Sequence, residues 1–124
     1  IIEQYGGPDV FQIRNDIAQP QKVDKNFVKV KVIAASVNPV DWKMRSGLFA
    51  LRWIMSGKFP KSLGRDLAGI VEKTGPKVTS FQVGDHVYGM PEYMIPTYCE
   101  YAVCNENSLA KIPRNISFQE AAVI

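Results

Sequence analysis

The chain has 124 residues, 46% of them hydrophobic and 22% charged, with a formal net charge of +3. That size suits one domain with a modest core, and no apolar run approaches the roughly 20 residues of a membrane span or the pattern of a signal peptide. The positive charge is dispersed, with lysines alternating with apolar residues from 25 to 31 and no run of like charges, so the clustered basic face of a nucleic-acid binder is missing. The chain opens Ile1-Ile2-Glu3 without a methionine, and a missing preceding segment is therefore expected.

In chain order, "FVKVKVIAA" (27–35) sets Val28, Val30 and Val32 on one face and Lys29 and Lys31 on the other, the pattern of a half-buried strand. "NPVDWKMRSG" (38–47) carries its own start and stop signals. Asn38 can cap, Pro39 suits the first helical position, Asp41 lies three residues after the cap, and Gly47 can end the helix in a left-handed conformation. A short helix carrying an acid, a base and a tryptophan is predicted there. "LGRDLAGIVEKTG" (63–75) reads as a strand whose glycines permit a bulge or close approach, with Arg65 and Asp66 pointing to opposite faces. "FQVGDHVYGM" (81–90) reads as a Gly84-Asp85 turn between two short strands, and "TYCEYAVC" (97–104) as a further strand. In "SFQEAAVI" (117–124) Ser117 and Glu120 form a capping box, and the chain stops soon after it. Short strands broken by glycine and proline predict an all-β barrel or sandwich with little helix, and the unfinished last helix predicts a fragment of a longer protein.

Cys99 and Cys104 are expected on opposite faces of one strand, unable to pair locally, as reduced thiols with a cytoplasmic address. His86, the single histidine, is expected to face solvent or a hydrogen-bond partner at the head of a strand. No Cys-x-x-Cys, Gly-x-Gly-x-x-Gly or Gly-x-Ser-x-Gly pattern occurs, so the residues alone supply no metal site, dinucleotide fingerprint or nucleophile elbow.

Taken in order, "AASVNPVDWKMRSG", "FPKSLGRDLAGIVEKTG", "VTSFQVGDHVYGM", "TYCEYAVCNENSLAKIP" and "SFQEAAVI" resemble the N-terminal GroES-like domain of medium-chain dehydrogenase/reductases, in particular the zinc-independent quinone oxidoreductase-like branch. The resemblance covers nearly the whole chain, 1–124. It implies a mainly β, partly open barrel with short helices, followed in the parent protein by a Rossmann domain that this sequence does not contain. It implies an NADPH-dependent enzyme that reduces quinones, enones or related small carbonyls by hydride transfer, with no membrane or nucleic-acid partner and a homodimer formed through the missing domain. The cofactor would be held mainly by that domain. The isolated fragment is expected to be inactive and to bind NADPH poorly.

The resemblance also assigns residues. Zinc-using relatives place a cysteine where this chain has Asn38, and Gly-His-Glu where it has Gly64-Arg65-Asp66; an amide and a guanidinium are poor replacements, so no zinc is expected. Asn38 would line the substrate pocket on the nicotinamide side and donate an amide hydrogen to a carbonyl, or act purely as a helix cap. Asp41 would hold the first helical turn or pair with Arg45. Lys43 and Phe49 stand where quinone-reducing relatives carry tyrosines and are the remaining substrate-side candidates. Arg65 would neutralise cofactor phosphate or sit at the cleft edge, and Asp66 would orient a neighbour or accept a buried hydrogen bond. The rival reading is a non-catalytic GroES-like domain that binds other proteins.

Overall fold

The computed structural model describes residues 1–48, 58–92 and 95–124. Five strands form one antiparallel sheet: β1 (Phe27–Ala34), β2 (Leu67–Thr74), β3 (His86–Gly89), β4 (Tyr101–Asn105) and β5 (Leu109–Lys111), in the order β4-β1-β2-β3-β5. Among the described residues two short α-helices accompany them, α1 (Pro39–Arg45) and α2 (Phe118–Ala121). The mainly β, partly open architecture predicted from the sequence is the one observed.

The alternation in β1 is what builds the core. Val28 and Val30 are fully buried and meet Leu67, Val71, Val87, Ala102 and Cys104 from the other strands on one face of the sheet. On the opposite face α2 brings Ala121 and Ala122 down onto Ala68, flanked by Tyr88, Ile112 and Phe118. A third cluster forms where the N-terminal segment crosses α1, with Ile2, Val10, Met44 and Leu63 at its centre. Ile2 bridges both Phe11 and Lys61, which ties the start of the chain to the segment leading into β2.

Several local expectations change. Lys29, assigned by alternation to the solvent side, is only 7% exposed, because its ammonium pairs with Glu72 at 2.6 Å and lies 4.4 Å from the centre of the Tyr101 ring. The strand expected over 63–75 starts at Leu67, so Arg65 and Asp66 belong to the approach and are not opposed across a strand. Two backbone bonds explain the late start: the Leu63 carbonyl accepts from Thr97 N at 3.1 Å and Tyr98 N at 2.9 Å, while Gly64 turns through φ +97°. The strand expected over 97–104 likewise starts at Tyr101. Cys99 therefore sits in the preceding bend, and its side chain packs against the same cluster as Cys104, not on an opposite face; both thiols are free. Of the two strands expected around Gly84-Asp85 only the second forms, at His86–Gly89.

Candidate functional site

The helix that the sequence predicts over 38–47 forms as Pro39–Arg45, with Asn38 extended at its N-cap and Gly47 at φ +71°. Asp41 closes the first turn: its Oδ2 accepts from the Asn38 backbone N at 2.7 Å, satisfying a donor that the helix itself leaves unpaired. The carboxylate is 2% exposed, and its other oxygen is buried with no hydrogen-bond partner. The alternative pairing with Arg45 does not form. The Arg45 guanidinium turns to the Gly6 carbonyl, 3.3 Å from Nε, and lies over the Phe11 ring, because the N-terminal segment packs along that side of α1.

With its backbone served by Asp41, the Asn38 side chain reaches across to the approach to β2. Nδ2 donates to Asp66 Oδ2 at 2.5 Å and to Ser36 Oγ at 3.0 Å, while Ser36 Oγ donates to the same Asp66 oxygen at 2.7 Å. The three side chains close a ring. The amide hydrogens expected to serve a substrate are thus held by Asp66 and Ser36, and Asp66 acts as the orienting acceptor. Tyr98 adds a second tie, its hydroxyl donating to the Ser36 carbonyl at 3.2 Å. Burial, and then the negative charge of Asp41, push the Tyr98 phenol well above the ordinary tyrosine value, so it stays protonated as a donor.

Beside this network lies an open pocket of about 240 Å³, lined by Met44, Leu63, Pro60, Ile95 and Pro96 together with Lys58, Lys61, Ser62, Gly64 and Arg65. Of the sequence-assigned residues that are described, Arg65 lines the pocket. Asn38, Asp41 and Asp66 form the polar network next to it, while Lys43 extends toward the Trp42 ring, 5.7 Å from its centre. Phe49 lies outside the described residues. Ser36, Lys61 and Tyr98 were not singled out from sequence. Ser36 precedes the Asn-Pro signal by two positions, and Tyr98 looked like an ordinary strand aromatic. His86 is exposed and rests against Phe118.

Among the described residues no three His, Cys, Asp or Glu side chains gather as a metal site, and no helix is long and apolar enough to cross a membrane. Burial pushes the Cys104 thiol up to about 12 and raises that of Cys99, so both are protonated thiols at neutral pH.

Residues 24–114 match the model of the alcohol dehydrogenase GroES-like domain. The chain belongs to that family. A quinone oxidoreductase from Sus scrofa is 36% identical over 98% of the chain and 35% of its own length. The solved quinone oxidoreductase of Coxiella burnetii superimposes with a TM-score of 0.91 at 31% identity, over 99% of this chain and 39% of that one. Escherichia coli quinone oxidoreductase, solved in complex with NADPH, gives a TM-score of 0.82 at 29% identity, over 98% of this chain and 35% of that one. The GroES-like domain described here thus spans about a third of the length of these relatives.

Proposed function

We propose that this GroES-like domain is the substrate-side part of a zinc-independent, NADPH-dependent oxidoreductase that reduces quinones, enones or related carbonyls. The observation that carries the reading is the likeness of nearly the whole chain to a quinone oxidoreductase that holds NADPH. The donor set on the chain suits the nicotinamide end of that cofactor: a carboxamide at Asn38, fixed by Asp66 and Ser36, with the cationic Arg65 nearby. Among the described residues there is no glycine-rich turn opening a helix that would cradle a pyrophosphate, so a following Rossmann domain would hold the rest. When bound, the cofactor supplies a hydride to the electrophilic carbon of the substrate.

The chain's own contribution is to meet the negative charge that builds on the substrate oxygen. One amide hydrogen of Asn38 stays on Asp66, and the other passes from Ser36 Oγ to that oxygen. The Asp66 anchor fixes the direction of the amide, so little reorganisation is needed as charge develops. Zinc has no place in this scheme, since Asn38 and Arg65 stand at the positions of its ligands and Arg65 brings a positive charge.

Calorimetry of the 124-residue chain with NADPH tests the division of labour. Affinity no tighter than the millimolar range is expected, and micromolar binding would place the cofactor site on this domain instead.

A further inference from the structure

The ring of Ser36, Asn38 and Asp66 is too tight for the amide that closes it. Asn38 Nδ2 lies 2.5 Å from Asp66 Oδ2 and 3.0 Å from Ser36 Oγ, and those two oxygens are themselves 2.7 Å apart. Seen from Nδ2 the two acceptors therefore stand about 60° apart, about half the angle between the N–H bonds of a planar amide, so both hydrogen bonds cannot be straight at once. Hydrogen bonds weaken steeply as they bend, and a charged acceptor outcompetes a neutral one. The amide aligns on the Asp66 carboxylate, and the longer bond to the Ser36 hydroxyl takes most of the bend.

Ser36 is held where it is. Its side chain is buried, its Oγ donates to Asp66 at 2.7 Å, and its carbonyl accepts from the Tyr98 hydroxyl at 3.2 Å. Asn38 is the half-buried member of the ring, its backbone N fixed by Asp41 and its side chain free to rotate. Turning the amide off Ser36 straightens its bond to Asp66. A neutral carbonyl oxygen offers the second amide hydrogen little more than the Ser36 hydroxyl does, so that exchange adds little to ground-state binding. An oxygen gaining negative charge is a far stronger acceptor, and handing it the hydrogen relieves the bend as well. Both gains fall on the transition state.

We propose that Ser36 is a positioning residue that occupies one Asn38 hydrogen until the substrate oxygen becomes charged, so that the amide favours the transition state over the bound substrate. This rests on the reductase reading and gives Ser36 a part in it. The hydrogen changes acceptor and stays on nitrogen throughout.

The test follows NADPH oxidation by the full-length protein with cyclohex-2-en-1-one and with 1,4-naphthoquinone, two neutral acceptors. Ser36→Ala is expected to lower KM and kcat together, each by about fivefold, the scale of one neutral hydrogen bond, and to leave kcat/KM within about twofold. Ser36→Cys, closer in size and a weak acceptor, is expected to move both constants the same way, which keeps the test open should the alanine variant fold poorly. Ser46→Ala, whose hydroxyl serves the Lys43 carbonyl at the other end of α1, is expected to change neither. NMR of the Asn38 side-chain amide in the ligand-free 124-residue chain adds a readout independent of turnover: in Ser36→Ala the hydrogen on Asp66 is expected to move downfield and its partner toward the value of a solvated amide. A lower kcat with KM unchanged or raised, constants that do not change, or side-chain amide shifts identical in the two proteins would overturn the proposal and leave the reductase reading in place. No oxidation of NADPH by the parent protein with any quinone or enone would sink that reading, and this role with it, whatever the amide shifts show.

Discussion

The Asn38 amide donates to the Asp66 carboxylate across 28 residues of sequence, joining the cap of α1 to the approach to β2. Ser36 closes the ring between them, and Asp41 holds the same cap from below through the Asn38 backbone. The two acids have separate tasks: Asp66 aims the amide, and Asp41 holds the turn that carries it.

Asn38→Ala in the full-length protein is accordingly expected to lower kcat by about a hundredfold, the scale for loss of a donor that meets developing negative charge. Asp41→Asn keeps an oxygen that can accept from the Asn38 backbone and is expected to cost less than tenfold, with about 1 kcal/mol of stability lost. Steady-state kinetics with parallel denaturant melts separate the two. Equal losses of turnover, or losses that follow stability in both variants, would reduce Asn38 to a helix cap.

Gly64 and Gly84 both have positive φ, +97° and +91°, yet their surroundings differ. A Cβ on Gly64 would collide with Thr97 Oγ1 and with the ring and backbone N of Tyr98, whereas one on Gly84 meets nothing within 4 Å. Gly84→Ala is expected to cost about 1 kcal/mol from backbone strain alone. Gly64→Ala adds overpacking and is expected to cost about 3 kcal/mol or more, or to prevent folding. Similar midpoints for the two variants in urea would contradict the packing described around Tyr98.

Alkaline pH should weaken the fold through Cys104. Burial raises its thiol from 9.0 to about 12 in the folded state, so the unfolded chain loses the proton first. Stability contributed by the neutral thiol is fully present below the ordinary thiol value and is lost as pH rises from there toward about 12, with a limiting slope of about 1.4 kcal/mol per pH unit. Tyr98, also raised, adds a second loss beginning near the ordinary tyrosine value of 10.0. Cys104→Ala is expected to lower stability at neutral pH by opening a cavity and to flatten the fall above pH 9.0. An unchanged slope in that variant would contradict the buried, protonated thiol.

How much of this was legible in the sequence depended on the range of the interactions involved. Helix α1 was readable because Asn38, Pro39, Asp41 and Gly47 act within one stretch, and the capping box at Ser117 and Glu120 was readable for the same reason. A role for Asp66 as an orienting acceptor was anticipated, but its partners were not, since they lie before α1 and only the pairing of β1 with β2 brings them together. Lys29 misled because alternation predicts a side of the sheet and not what covers it; Glu72 and Tyr101 arrive from two other strands. Cys99 misled because a β-rich sequence does not reveal that Leu63 draws Thr97 and Tyr98 out of strand geometry. Lys61 gave no sign at all, its position depending on a bridge to Ile2.

The most direct test of the central reading is to follow NADPH oxidation by the full-length protein with a set of quinones and enones, before and after exhaustive treatment with a strong zinc chelator. Acceptor-dependent oxidation that chelation leaves intact and Asn38→Ala largely removes is the expected result. No acceptor-dependent oxidation across the set, or activity abolished by chelation and restored by zinc, would contradict it.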